Sequence, residues 1–106
     1  MTEDLAPILE ALKQRLREIY GNRLVRVVLF GSRARGTAAP ASDIDILIVL
    51  SDSVDPGVEI ERTGESTAAL SLEHNVVISC SFVSSQRFDS ERSPLLINVH
   101  REGVSL

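Results

Sequence analysis

The sequence predicts a small α/β domain in which three apolar strands alternate with helices, in the order α-β-α-β-α-β-α. Three observations carry that expectation. The first segment repeats its apolar residues at helical spacing; runs rich in β-branched residues occur at 24–30, 43–50 and 76–83; and a longer helix-compatible stretch separates the second run from the third. Strands joined by helical segments rather than by tight turns suit a sheet covered by helices.

In the first segment Leu5, Ile8, Leu9, Leu12, Leu16 and Ile19 share a face, while Glu10, Lys13, Gln14, Arg17 and Glu18 lie largely elsewhere. This is the pattern of an amphipathic helix over about residues 5–20. Its mixed charges favour packing on a core over binding a membrane surface. Asp4 is the expected N-cap, Pro7 falls in the first turn, where its missing N–H costs little, and Gly21 ends the helix.

Leu24 to Phe30 (LVRVVLF) reads as a buried strand between Asn22 and Gly31, with Val25, Val27 and Leu29 in the core. Arg33 to Thr37 can begin a short helix that Gly36 and Pro40 stop, and 38–42 is a loop. Asp43 to Leu50 is the second strand, contributing Ile46, Ile48 and Leu50 to the core.

From Ser51 to Asn75 the chain is acidic, with Asp52, Asp55, Glu59, Glu61, Glu65 and Glu73. Asp55-Pro56-Gly57 marks a turn, and a helix is expected from near Val58 to His74 with its acids on a solvated face. Gly64 costs roughly 1 kcal/mol in a helix interior, so the first half is expected to be loose. In the third strand, Val76, Ile78, Cys80 and Phe82 lie on one face and Val77, Ser79, Ser81 and Val83 on the other. Ser84 to Arg92 reads as a loop. Ser93-Pro94 then opens a last helix, packed down by Leu95, Leu96 and Val99 and stopped by Gly103. His74 near a helix end and His100 on the last helix both read as structural or surface residues.

At 106 residues the chain is expected to form one domain, 1–106, small enough for a partner surface to supply part of its stability. A small domain with an extra amphipathic helix is also expected to associate as a homo-oligomer. The formal net charge is −4 and Lys13 is the only lysine, so the basic stripe that duplex DNA requires is missing. Cys80 is the single cysteine, which excludes an internal disulfide and a multi-cysteine zinc site, and its apolar neighbours suggest a buried thiol. With no hydrophobic signal core and no apolar run near the roughly 20 residues of a membrane helix, a cytoplasmic location is expected.

The chemistry concentrates in Gly31-Ser32-Arg33-Ala34-Arg35-Gly36 and Ser42-Asp43-Ile44-Asp45. A glycine ending a buried strand lets backbone approach a ligand, and amides opening the next helix favour an anion. Ser32 adds a hydroxyl, and Arg33 or Arg35 adds charge-assisted hydrogen bonds to phosphate oxygens. Asp43 and Asp45, two apart on a strand, project from one face about 6 to 7 Å apart. At an effective dielectric near 20 such a pair repels by on the order of 3 kcal/mol, a cost that a divalent cation reverses. All-oxygen ligands select Mg²⁺ or Mn²⁺.

Together these two stretches resemble the signature of the DNA polymerase beta-like nucleotidyltransferase superfamily, in its minimal nucleotidyltransferase branch. The match is close over 24–50, and the flanking elements agree with it. The resemblance implies a small mixed sheet flanked by helices that binds a nucleoside triphosphate and Mg²⁺ and moves a nucleoside monophosphate, AMP from ATP, onto a hydroxyl of a protein or RNA acceptor. It assigns Gly31 and Ser32 to the triphosphate and Asp43 and Asp45 to the metals. It also implies a small helical partner of the HEPN type, the toxin of a pair in which the nucleotidyltransferase is the antitoxin.

One departure is visible in the residues. Active members of the branch usually carry a third acid on a later strand, yet 76–83 has none, and Ser79 and Ser81 occupy the face in question. Serine is no base near neutral pH and a poor cation ligand. The alternative expectation is therefore a catalytically impaired nucleotide-binding antitoxin or pseudoenzyme that acts by covering a helical partner.

Overall fold

The computed structural model describes residues 5–36 and 43–106. Its centre is β2 (Ile44–Leu50), which pairs antiparallel with β1 (Leu24–Phe30) and parallel with β3 (Ile78–Ser84). Ile44 and Ile46 through Leu50 are fully buried, as a strand covered on both faces requires. A two-residue strand, β4 (Val104–Ser105), adds antiparallel to the outer edge of β1 and gives the order β3-β2-β1-β4. The mixed sheet implied by the resemblance is thus present, with one more strand than the sequence suggested.

Alternation along the strands sorts the core into two layers. Val27, Leu29, Ile44, Ile46, Ile48, Leu50 and Phe82 face α1 (Ala6–Tyr20) and α3 (Pro56–His74). Val28, Leu47, Val49 and Val83 face α4 (Ser85–Ser90) and α5 (Pro94–Glu102), where Phe88, Leu96 and Val99 cover them. The helix α1 buries Ile8, Leu12, Leu16 and Tyr20, the stripe that its periodicity predicts extended by the tyrosine. Cys80 packs against the α1/α3 layer, and burial pushes its thiol up to about 11, so it stays protonated at neutral pH. No helix among the described residues is long and apolar enough to cross a membrane.

Several expectations are corrected. Val25 is 48 % exposed because the register slips between Leu24 and Arg26, a bulge that turns Val25 outward and lets Leu24 pack on the core instead. Asp55 is an N-cap rather than a turn residue: its side chain accepts from the amides of Gly57 and Val58, with Pro56 at the helix start. The helix α3 is continuous through Gly64, since its first turns are anchored by tertiary contacts. There Glu59, in the middle of the acidic run, is buried and accepts a 2.8 Å hydrogen bond from the Tyr20 hydroxyl. Arg23 and Arg62 each stand 3.5 Å from the same carboxylate. The segment after β3 is the short helix α4 rather than a loop, capped by the Ser84 hydroxyl on the Arg87 amide. Leu95 points outward, while Leu96 and Val99 hold α5. The Asp4 cap and the 38–42 loop lie outside the described residues.

Candidate active site

The candidate residues gather where β1 ends and β2 and β3 begin. Register sets Phe30 opposite Asp45 on one side and Ser79 opposite Asp45 on the other, so Asp45 stands in the middle of the sheet. It shares the face of Leu47 and Val49, the side covered by α4 and α5. Asp43, just before the strand on the same parity, is exposed.

Gly31 follows Phe30 directly and passes hard against Asp45. It adopts φ 74° and ψ −158°, and a Cβ built there would collide with the Asp45 carboxylate. Both facts demand glycine. The chain then turns into α2 (Ser32–Arg35), where the amides of Ala34 and Arg35 each donate to the Gly31 carbonyl at 3.1 Å. Ser32 occupies the first helical position, whose amide has no acceptor within the helix itself. Gly36 closes the turn in the left-handed region, at φ 74° and ψ 16°.

The electrostatics follow from this placement. Partial burial raises the Asp45 carboxyl above its ordinary value, the neighbouring Asp43 charge raises it further, and Arg35 opposes both. Arg35 also holds Glu102, the last residue of α5, with Nη1 to Oε1 at 2.9 Å. The structure therefore brings Gly31, Arg35, Asp43 and Asp45 into one neighbourhood, with Ser32 at its head and Arg33 half-buried on the same short helix. Glu102 was not singled out in the sequence. A signal for it existed, because an acid in the last turn of a helix opposes the dipole and needs a cation nearby.

Neither histidine joins this group. The His100 Nε2 lies 2.7 Å from the Phe88 carbonyl oxygen, and its ring packs on Phe88 with centroids 4.4 Å apart. His74 ends α3.

Among the described residues no three His, Cys, Asp or Glu side chains come together as a metal cage. Two adjacent carboxylates, one with a raised pKa caused partly by the other, nevertheless fit Mg²⁺ or Mn²⁺. Such ions commonly take one or two carboxylates and complete their shell with substrate phosphates and water.

A family profile described as a nucleotidyltransferase domain matches residues 9–93, from within α1 to the cap of α5. The chain belongs to this family. A Thermococcus cleftensis relative, the protein adenylyltransferase MntA, is 38% identical over 84 residues, covering 77% of this chain and 81% of that protein. A Methanocaldococcus jannaschii relative, named as a candidate protein adenylyltransferase, is 43% identical over 42 residues, 40% of this chain; the match covers 29% of that protein's length. Among solved structures, one named as a candidate minimal nucleotidyltransferase superposes with TM-score 0.62 at 26% identity, covering 98% of this chain and 97% of that one. A toxin–antitoxin complex with AMP-PNP contains a chain that superposes with TM-score 0.60 at 24% identity, covering 91% of this chain and 70% of that one. In this nucleotidyltransferase domain the glycine turn and the paired aspartates are joined by direct packing of Gly31 on Asp45.

Proposed function

We propose that this nucleotidyltransferase domain binds ATP with Mg²⁺ or Mn²⁺ and transfers AMP to a hydroxyl of a protein or RNA acceptor, as the antitoxin partner of a helical HEPN-type toxin. The observation that carries the reading is the packing of Gly31 on Asp45. It joins a backbone turn suited to phosphate with a carboxylate pair suited to a cation, on adjacent strands. The family match and the adenylyltransferase named among the relatives support the nucleotidyl-transfer part. The likeness to a chain of a toxin–antitoxin complex holding an ATP analogue agrees with the nucleotide and partner parts.

In this reading Asp43 and Asp45 hold the cation, the Ser32 amide and hydroxyl meet the triphosphate, and Arg33 and Arg35 neutralise its outer oxygens. A bound divalent cation supplies charge neutralisation and polarisation of the phosphoryl group. The acceptor oxygen forms the new bond to the α-phosphorus as the bond to pyrophosphate breaks, and the acceptor proton leaves to solvent, since no carboxylate stands opposite Asp45 on β3. The protein's task is positioning and charge placement. Purified protein given labelled ATP, Mg²⁺ and the helical partner is expected to transfer label in a way that Asp43→Asn and Asp45→Asn abolish. Label that persists in both variants overturns the reading.

One observation favours a second reading. Ser79 takes the position across from Asp45, so β3 brings no carboxylate to the site there. A binding module that keeps nucleotide without turnover accounts for this. It predicts that Asp43→Ala and Asp45→Ala still neutralise the partner, whereas the transferase reading predicts that they do not.

A further inference from the structure

Glu102 lies at the far end of the chain from the glycine turn, yet it is the residue that holds Arg35. The pair is made through one guanidinium nitrogen, Nη1, at 2.9 Å, with the Glu102 side chain mostly covered. A guanidinium carries five N–H donors in a planar fork, so this contact does not exhaust it. Arg35 itself is fixed one helical turn beyond Gly31, its amide donating to the Gly31 carbonyl at 3.1 Å.

Glu102 is also held rigidly on its own side. Gly103 is packed so closely that an added Cβ would lie 2.5 Å from the Val99 carbonyl oxygen and 2.6 Å from Val28 Cγ1. Beyond it, Val104 and Ser105 pair with Leu29 and Val28, and the Leu106 amide donates to the Val27 carbonyl at 2.9 Å. The strand so gripped, β1, runs straight into Phe30 and Gly31. The C-terminal segment therefore braces the strand that feeds the site and delivers a carboxylate to the arginine of the turn. An acid at a helix C-terminus is electrostatically misplaced unless a cation offsets it, and Arg35 is that cation.

We propose that Glu102 is a positioning residue for nucleotide: it holds the Arg35 guanidinium beside the Asp43–Asp45 pair in the orientation that receives triphosphate oxygens. The inference rests on the nucleotide-binding reading above. Because Glu102 acts through Arg35, its removal costs affinity only while Arg35 is present.

The test is a double-mutant cycle on AMP-PNP affinity in the presence of Mg²⁺, using the full chain as wild type, Glu102→Gln, Arg35→Ala and the double variant. Melting temperatures are measured for all four. Glu102→Gln is expected to weaken AMP-PNP about five- to tenfold, Arg35→Ala to weaken it at least as much, and the double variant to match Arg35→Ala alone. Glu102→Asp, which keeps the charge on a shorter arm, is expected to recover part of the loss. If wild type binds in an Asp43-dependent way and Glu102→Gln binds equally well, the positioning role is overturned while the nucleotide reading stands. Losses that multiply in the double variant also overturn it. If wild type shows no Asp43-dependent binding, both fall together.

Discussion

Gly31 lies with its backbone against the carboxylate of Asp45, at a positive φ of 74° that an L side chain rarely adopts. Gly31→Ala must therefore both strain the backbone and displace the carboxylate. Strain at such a position costs on the order of 1–3 kcal/mol, and the steric clash adds to it. The expected outcome is a clear fall in the urea midpoint together with loss of Mg²⁺-dependent AMP-PNP binding. Gly36 provides the control, because it has the same φ of 74° but no atom of the described residues within 4 Å of where a Cβ would go. Gly36→Ala is expected to cost about 1 kcal/mol of strain and to retain binding. Equal loss of binding in both variants would show that backbone strain alone, not the contact with Asp45, governs the site.

The second prediction concerns protons. Burial raises the Asp45 carboxyl, and the Asp43 charge adds to the rise. A carboxyl whose folded pKa exceeds its unfolded one binds its proton more tightly in the folded state. Its favourable contribution is complete below the ordinary carboxylate range and is lost as pH rises through the folded value. Ionised Asp45 thus opposes folding at neutral pH in the absence of cation. Asp43→Asn is expected to lower the Asp45 pKa and to stabilise the cation-free protein slightly at pH 7 while abolishing tight Mn²⁺ binding. In wild type, apparent Mn²⁺ affinity should fall as pH drops through the raised Asp45 pKa. Carboxyl ¹³C titration of Asp45 in the two proteins checks the shift, and an unchanged or higher value in Asp43→Asn contradicts it.

These site features were legible in the sequence because they are local. A glycine at a strand end and acids at alternate positions of the next strand place themselves once the strands pair, and Phe30 opposite Asp45 makes that pairing. The core layer under α1 and α3 was legible for the same reason, since Val27, Leu29, Ile46, Ile48 and Leu50 fall at alternate positions of their strands, whereas the layer of Val28, Leu47, Val49 and Val83 under α4 and α5 was not read from the sequence. What escaped depends on partners distant in sequence. Glu59 looks like any solvated helix acid until Tyr20 reaches it across a separation of 39 residues. Glu102 looks like surface until it meets Arg35, 67 residues away. Val25 failed differently, because a bulge shifts the parity of a strand without leaving any mark in composition.

Tyr20 and Glu59 yield a third prediction. The hydroxyl donates to a nearly inaccessible carboxylate, which also draws on Arg23 and Arg62, and both guanidinium groups stand over the Tyr20 ring. Tyr20→Phe removes one donor and leaves a buried charge short of a hydrogen bond, a loss of about 1–3 kcal/mol. The phenol is held well above its ordinary value, first by burial and then by the hydrogen bond and charge of Glu59. Its contribution is therefore complete below the unfolded tyrosine pKa and is lost as pH rises beyond it. Urea unfolding from pH 8 to 11 is expected to show stability falling at the alkaline end in wild type, with less of that fall in Tyr20→Phe. Identical alkaline slopes in the two proteins would remove Tyr20 as the cause.

The last prediction adds the carboxylate that the third strand lacks. Ser79 is the direct neighbour of Asp45 across the parallel β2–β3 pair, and Ser81 is the neighbour of Leu47, one step deeper on the same face. Ser79→Asp therefore places a third acid beside the pair, whereas Ser81→Asp sets one against the apolar layer. Without cation the extra charge at 79 repels its neighbours and is expected to cost on the order of 3 kcal/mol at near-surface dielectric. With Mn²⁺ the sign reverses. The third oxygen ligand should raise cation affinity about tenfold, about 1.4 kcal/mol, and raise the rate of nucleotide transfer wherever wild type has any. Calorimetric Mn²⁺ titration and the label-transfer assay measure the two effects, with Ser81→Asp expected to lose stability and gain neither. If Ser79→Asp leaves both affinity and rate unchanged, the carboxylate missing from β3 is not what limits the site, and positioning of the acceptor becomes the limiting step.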